Sequence, residues 1–273
     1  MSAGFAPIAA MLKSRSGLVL GPDKVYLLET RLAGLMAREG VRDLAGLAAK
    51  LRPSSVLERD VVEAMTTNES LFFRDMKPFD ALRHRILPRL HAARSPGAPL
   101  RIWSAAASTG QEAYSIAIVG HELAAAMPGR RVEILGTDIA REMLQRARDG
   151  VYTQFEIQRG LPMQMLVRHF DKQDGQWRIK PTLRAAVTFR EWNLLLDPRP
   201  LGRFDVIFCR NVLIYFDAPT KARVLEAIAR QMPADGVLFL GGAETVLGLT
   251  DALRGVPGEG CAYEPTAKLA QLA

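Results

Sequence analysis

The sequence predicts an α/β chain in which an all-α N-terminal domain precedes a Rossmann-like, doubly wound sheet domain carrying a small β insertion. Three observations lead there. Up to residue 94, apolar residues recur at three-to-four spacing with no strand-like run between them. From residue 100, short apolar runs alternate with helical ones, the order of a parallel sheet with right-handed crossovers. Between residues 151 and 185 that alternation fails, and a short alternating run follows a turn.

The helical spacing covers residues 5–14, 23–39, 41–50, 54–65 and 78–93, separated by Gly17, Gly21-Pro22, Gly40 and Pro53, with Asp23 and Ser54 as N-caps. Ser95-Pro96-Gly97-Ala98-Pro99 is small and proline-interrupted, so the sequence divides into a helical domain at 1–94, a linker at 95–99 and a sheet domain at 100–273. Residues 66–75 combine polar turn formers, Phe72-Phe73 and Arg74. Two readings fit. Thr67 or Asn68 caps a helix with Glu69 or Ser70 in its first turn and the phenylalanines in the core, or the segment is a loop that touches a ligand.

Residues 100–106 read as a strand, 107–110 as a small-residue turn and 111–127 as a helix. A second strand at 132–137 stops on Asp138, which a parallel unit places at the strand's carboxyl end beside that turn, where it suits a ribose. The turn reads Ala105-Ala106-Ala107-Ser108-Thr109-Gly110 and lacks both the G-x-G-x-x-G of dinucleotide sites and the lysine of a phosphate loop. Glu112 at the start of the helix would repel an anion, so the turn favours a cationic nucleoside such as S-adenosylmethionine. Glu112 also has a plain reading: an acid in the first turn stabilises a helix by about 0.3–1 kcal/mol.

A helix at 140–149 ends at Gly150. Inside the insertion, 162–169 is helical and 176–180 is a short strand after the turn at 173–175. The strand at 186–192 ends in Asn193-Leu194-Leu195. Residues 204–209 are apolar on both faces, as a central parallel strand requires, and run out into Arg210-Asn211-Val212-Leu213-Ile214-Tyr215. That strand end puts Asn211 and Tyr215 in the expected crevice. Asp217 caps a helix at 218–232 with Pro219 in its first turn, and a strand at 236–240 ends at Gly241-Gly242-Ala243-Glu244-Thr245.

Composition narrows the function. A 48% hydrophobic content is ample for a buried core. No apolar run approaches the roughly 20 residues that cross a bilayer, and the N-terminus lacks the order of a signal peptide, so a cytoplasmic chain without membrane insertion is expected. Cys209 and Cys261 read as buried thiols, and the four histidines are scattered, so no metal is expected. Residues 1–98 hold 15 Lys/Arg against 10 Asp/Glu, most of the net charge of +7. No basic patch interleaved with aromatics accompanies that surplus, which argues against nucleic acid and for an acidic protein partner.

Four blocks in combination resemble the chemotaxis receptor methyltransferases, the CheR family: residues 67–74, 101–115, 136–139 and 204–217. The resemblance implies S-adenosylmethionine as cofactor and receptor glutamates as acceptors. It implies that Asn68, Ser70 and Arg74 reach the cofactor from the N-terminal side and that Glu112 meets its amino group. It implies further that Asp138 holds the ribose, while Asn193, Leu194, Arg210 and Asn211 line the adenine and methionine ends. Members usually carry Thr, Glu and Pro where Ser70, Gln111 and Ala113 stand here. A glutamate side chain, with a reference pKa of about 4.3, attacks a sulfonium methyl without a general base. Orientation is then the main catalytic need, and Arg74 and Tyr215 are the expected positioning groups for the acceptor carboxylate. The partners expected are methyl-accepting receptors with an acidic helical surface, met by basic residues between Arg31 and Arg59. The short segment at 171–176 implies no dependence on a receptor C-terminal pentapeptide. The alternative is a catalytically silent S-adenosylmethionine-binding sensor or scaffold, which would tend to lose the set Asn68, Arg74, Glu112, Asp138, Asn211 and Tyr215. Methylation of RNA or small molecules finds little support in an aromatic content of 7%.

Overall fold

The computed structural model describes residues 3–271 and separates the chain into two compact units. One comprises residues 1–67 with a short segment at 215–221; the other holds the rest.

In the helical unit, α1 (Phe5–Ser16), α2 (Val25–Arg38), α3 (Leu44–Lys50) and α4 (Val56–Met65) pack through apolar residues at helical spacing, among them Ile8, Leu12, Leu28, Leu32, Leu47 and Val61, all buried. Two expected caps move. Asp23 sits in a single 3-10 turn before α2, and the cap of α4 is Ser55, whose Oγ accepts from the Glu58 N–H at 3.1 Å. Ser54, at φ 61°, instead donates its N–H to Glu58 Oε2 at 2.6 Å, while Arg15 Nε meets Oε1 at 2.8 Å, so the buried Glu58 is fully engaged. Arg31 ties off the end of α4, donating to the carbonyls of Met65 and Thr66 at 2.8 and 2.9 Å. In the added segment, Lys13 pairs with Asp217 at 2.7 Å and the Val19 N–H reaches the Tyr215 carbonyl at 3.0 Å.

The second unit begins with α5 (Lys77–Ala81), a π-helical turn (Leu82–Ile86) and α6 (Leu87–Ala93). Then come β1 (Leu100–Ala105), α7 (Gln111–Glu122), β2 (Val132–Asp138), α8 (Arg141–Asp149), β3 (Val151–Tyr152), α9 (Gln154–Gln158), α10 (Met163–His169), β4 (Phe170–Gln173) and β5 (Gln176–Ile179). The chain finishes with α11 (Pro181–Arg184), β6 (Val187–Glu191), β7 (Val206–Cys209), α12 (Ala218–Ala229), β8 (Val237–Leu240), β9 (Leu253–Gly255) and β10 (Ala262–Pro265). The main sheet has the order β6-β2-β1-β7-β8-β10-β9, parallel except for the pairs made by β10. The separate sheet β3-β5-β4 is the expected insertion, and its β4–β5 hairpin turns on Asp174 and Gly175, both at positive φ.

The helical stretch at 77–93 was expected with the N-terminal domain. It belongs instead to the sheet unit, because Phe79, Leu82, Leu87 and Leu90 share one core with Ile102, Phe208 and Phe239. The units therefore divide at Thr67/Asn68. This redistributes the charge. Residues 1–67 hold nine Lys/Arg against seven Asp/Glu, so most of the basic surplus expected of the helical domain lies in 68–98. The antiparallel pair β9–β10 was not foreseen. Among the described residues no helix is long and apolar enough to cross a membrane, and no His, Cys, Asp or Glu cluster could hold a metal ion.

Candidate active site

Chain order reverses between β1 and β7: from β1 the sheet grows outward through β2 to β6, then returns to β7 on the other side. The carboxyl ends of these two strands bound the crevice in which open α/β sheets hold ligands.

The turn after β1 is tightly wound, with Ala106, Ser108 and Gly110 at φ 89°, 48° and 91°. Non-glycine residues there cost on the order of 1–3 kcal/mol each and persist only where surroundings hold them. Here they are held. The N–H groups of Ala106 and Ala107 both donate to the Thr137 carbonyl, at 2.9 and 2.8 Å. Asp138 Oδ2 accepts from the Ser108 N–H at 2.8 Å and Oδ1 from the Ala140 N–H at 2.9 Å. Gly136 permits the approach of β6, since a Cβ there would stand 2.6 Å from Phe189 ring carbons.

Segment 68–75 packs against this turn; it forms no helix, so neither Thr67 nor Asn68 caps one, although the phenylalanines are core as that reading expected. Phe72 and Phe73 are buried in the core, while the Asn68 carbonyl accepts from Ser108 Oγ at 2.9 Å, and Ser70 and Arg74 are half-buried. Phe73 is pinned by its N–H to Ser115 Oγ at 2.9 Å.

Glu112 does not lie free at its helix terminus. Its Oε1 accepts from Ser104 Oγ at 2.8 Å and its Oε2 from Arg210 Nη1 at 3.2 Å, with the side chain 14% exposed. Burial raises its carboxyl pKa, and the Arg210 charge opposes the rise. Arg210, the first residue past β7, is 2% exposed at its side chain. Its Nη2 donates to the Arg74 carbonyl at 2.9 Å and to Asp75 Oδ2 at 2.7 Å. Its Nε is buried and lacks an acceptor among the described residues. The next residue, Asn211, takes φ 57°.

On the other flank, Asp138 pairs in register with Glu191, and the Trp192 N–H donates to the Asp138 carbonyl at 2.9 Å, which brings Asn193 and Leu194 to the end of β2. Asn193 Oδ1 accepts from the Leu195 N–H at 3.0 Å, so its side chain shapes its own turn. Asn68, Arg74, Glu112, Asp138, Asn193, Leu194, Arg210 and Asn211 are thus gathered around the ends of β1, β2, β6 and β7. Tyr215, expected in the same crevice, groups with the helical unit through its carbonyl contact to Val19. Sequence reasoning passed over Ser104, Ser108, Asp75 and Glu244. Glu244 had one signal, a carboxylate a few residues beyond the end of a predicted strand.

The donor set fits S-adenosylmethionine. A buried carboxylate suits its ammonium, and the orphaned Arg210 Nε–H lacks the kind of acceptor that an amino-acid carboxylate supplies. Asp138, fixed by the Ser108 and Ala140 N–H groups, holds its carboxylate at the end of β2 beside the turn, where a ribose is expected.

Comparison with known proteins agrees. Residues 68–260 match the model described as CheR methyltransferase, SAM binding domain, and residues 3–66 match CheR methyltransferase, all-alpha domain. Chemotaxis protein methyltransferase Cher2 of Pseudomonas putida is 41% identical over 90% of this chain and 92% of its own length. Chemotaxis protein methyltransferase 1 of Pseudomonas aeruginosa is 42% identical over 92% and 93%. A protein of the same name from Vibrio cholerae is 40% identical over 88% of both.

Proposed function

Since the chain belongs to the CheR methyltransferase family and is an S-adenosylmethionine-dependent methyltransferase, we propose that it converts glutamate side chains of methyl-accepting chemotaxis receptors to methyl esters. The observation that carries this reading furthest is the buried Glu112–Arg210 pair between the ends of β1 and β7, an ionic site built for a zwitterionic amino-acid end. Glu112 holds the ammonium, Asp138 the ribose, and Asn193 with Leu194 the adenine, while Asn68, Ser70, Arg74, Arg210 and Asn211 complete the enclosure.

Bound S-adenosylmethionine supplies an electrophilic methyl on a sulfonium. The chain's task is geometric: to hold the acceptor oxygen in line with that methyl and keep water out. Arg74 orients the acceptor carboxylate. No base is required, because a glutamate is already ionised near neutral pH.

The receptor surface that this chain meets is acidic. Of the cations between Arg31 and Arg59, Arg31, Arg38, Lys50 and Arg52 bind groups of their own unit, whereas Arg42 and Arg59 are exposed and available. The two-residue β4–β5 turn favours independence from a receptor C-terminal pentapeptide. Incubating the chain with receptor-bearing membranes and methyl-labelled S-adenosylmethionine tests the function. Label released by base as methanol identifies a carboxyl ester, while cofactor binding without transfer would leave the silent-sensor reading in its place.

A further inference from the structure

We propose that Glu244 is a positioning residue for the reaction, setting the backbone after β7 so that Asn211 is presented to the cofactor. The inference rests on the reading of Asn211 as a cofactor contact.

β7 ends at Cys209 and β8 at Leu240, and the segments beyond them have no ladder to satisfy their N–H groups. One carboxylate serves both. Glu244 Oε2 accepts from the Asn211 N–H at 2.8 Å and the Gly241 N–H at 2.7 Å. Its Oε1 accepts from Val212 at 3.0 Å and Ile214 at 3.3 Å. Asn211 stands at φ 57°, a conformation a non-glycine residue keeps only under restraint, and its N–H is the first group the carboxylate grips. Gly241 belongs to the same arrangement. A Cβ at that position would lie 2.8 Å from both Asn211 Nδ2 and Glu244 Oε2 and 3.0 Å from the Asn211 backbone nitrogen, so the Asn211 amide and the Glu244 carboxylate are both seated against bare glycine backbone. Glu244 and Gly241 together restrain the placement of Asn211.

Glutamine in place of Glu244 keeps the shape but turns an NH2 toward two N–H donors, so two of the four bonds are lost. The test is calorimetric titration of the full chain with S-adenosylmethionine in five forms: wild type, Glu244→Gln, Gly241→Ala, Asn211→Ala and the double variant Asn211→Ala/Glu244→Gln. The single changes at Glu244 and Gly241 are expected to weaken binding about tenfold or more, with far-UV circular dichroism unchanged. Once Asn211 is alanine, Glu244→Gln is expected to add less than about twofold, because its effect travels through Asn211. Wild-type affinity in Glu244→Gln, or a full additional loss in the double variant, would overturn the inference. A wild-type chain that binds no S-adenosylmethionine would instead overturn the reading of the pocket itself.

Discussion

Replacing Arg210 by methionine should make stability depend on pH in a specified direction. Arg210 is the counter-charge of Glu112, and their side chains are 2% and 14% exposed. Removing one partner of a buried pair costs about 3–5 kcal/mol, chiefly because the remaining charge is stranded. The bond to Asp75 adds little, since that carboxylate is 56% exposed. Glu112 already has a carboxyl pKa raised by burial, and loss of Arg210 removes the main opposing influence, so it rises further. The native variant then binds a proton over a pH range in which the unfolded chain has released it. Its stability therefore falls as pH rises through that range and recovers on acidification. Urea unfolding followed by tryptophan fluorescence is the assay, and Trp103, Trp177 and Trp192 all lie in the sheet unit that contains the pair. Relative to wild type, the variant should lose about 3–5 kcal/mol at about pH 8 and distinctly less at about pH 5.5. A deficit equal at both pH values, or below about 1 kcal/mol at the higher one, would refute the pairing as the source.

The same titration should govern the cofactor. Affinity for S-adenosylmethionine should fall as acid protonates Glu112, with a midpoint above the ordinary carboxylate range, and calorimetry across that range would expose an affinity that stays flat instead. Gly136→Ala forces a methyl to within 2.6 Å of the Phe189 ring and should cost about 1–3 kcal/mol in urea unfolding; a neutral result would mean that β6 can shift aside. Reversing Arg42 and Arg59 to glutamate should slow receptor methylation, most at low salt, and leave S-adenosylmethionine affinity alone. Methylation kinetics at two ionic strengths would decide it.

Periodicity makes most of the fold legible in the sequence. Parallel strands buried on both faces announce themselves, and the acid at the end of β2 pointed to Asp138 because strand ends are where such sheets bind. Glu112 was recognisable from helix physics, although its partner Arg210 lies 98 positions away and no local pattern joins the two. The boundary was misplaced for a related reason. A proline–glycine linker is a local signal, whereas the apolar face of 77–93 does not say which core it enters, and it enters that of the sheet. The last two strands, β9 and β10, are three and four residues long and contain Arg254 and Glu264, so they lack a hydrophobic period to read. Ser54 and Ser55 could not be told apart as caps, because the choice depends on a left-handed φ at Ser54 and on the reach of Glu58.

Several contacts that build the pocket join distant parts of the chain. Arg210 meets the Arg74 carbonyl across 136 positions, and Asn68 meets Ser108 across 40. Closing such long loops is slow, so the pocket should be among the last parts of the sheet unit to assemble, after the locally connected helices. Binding competence is then a stringent report of completed folding. Because the cofactor favours only the finished state, adding it should raise the melting temperature in step with the logarithm of its concentration.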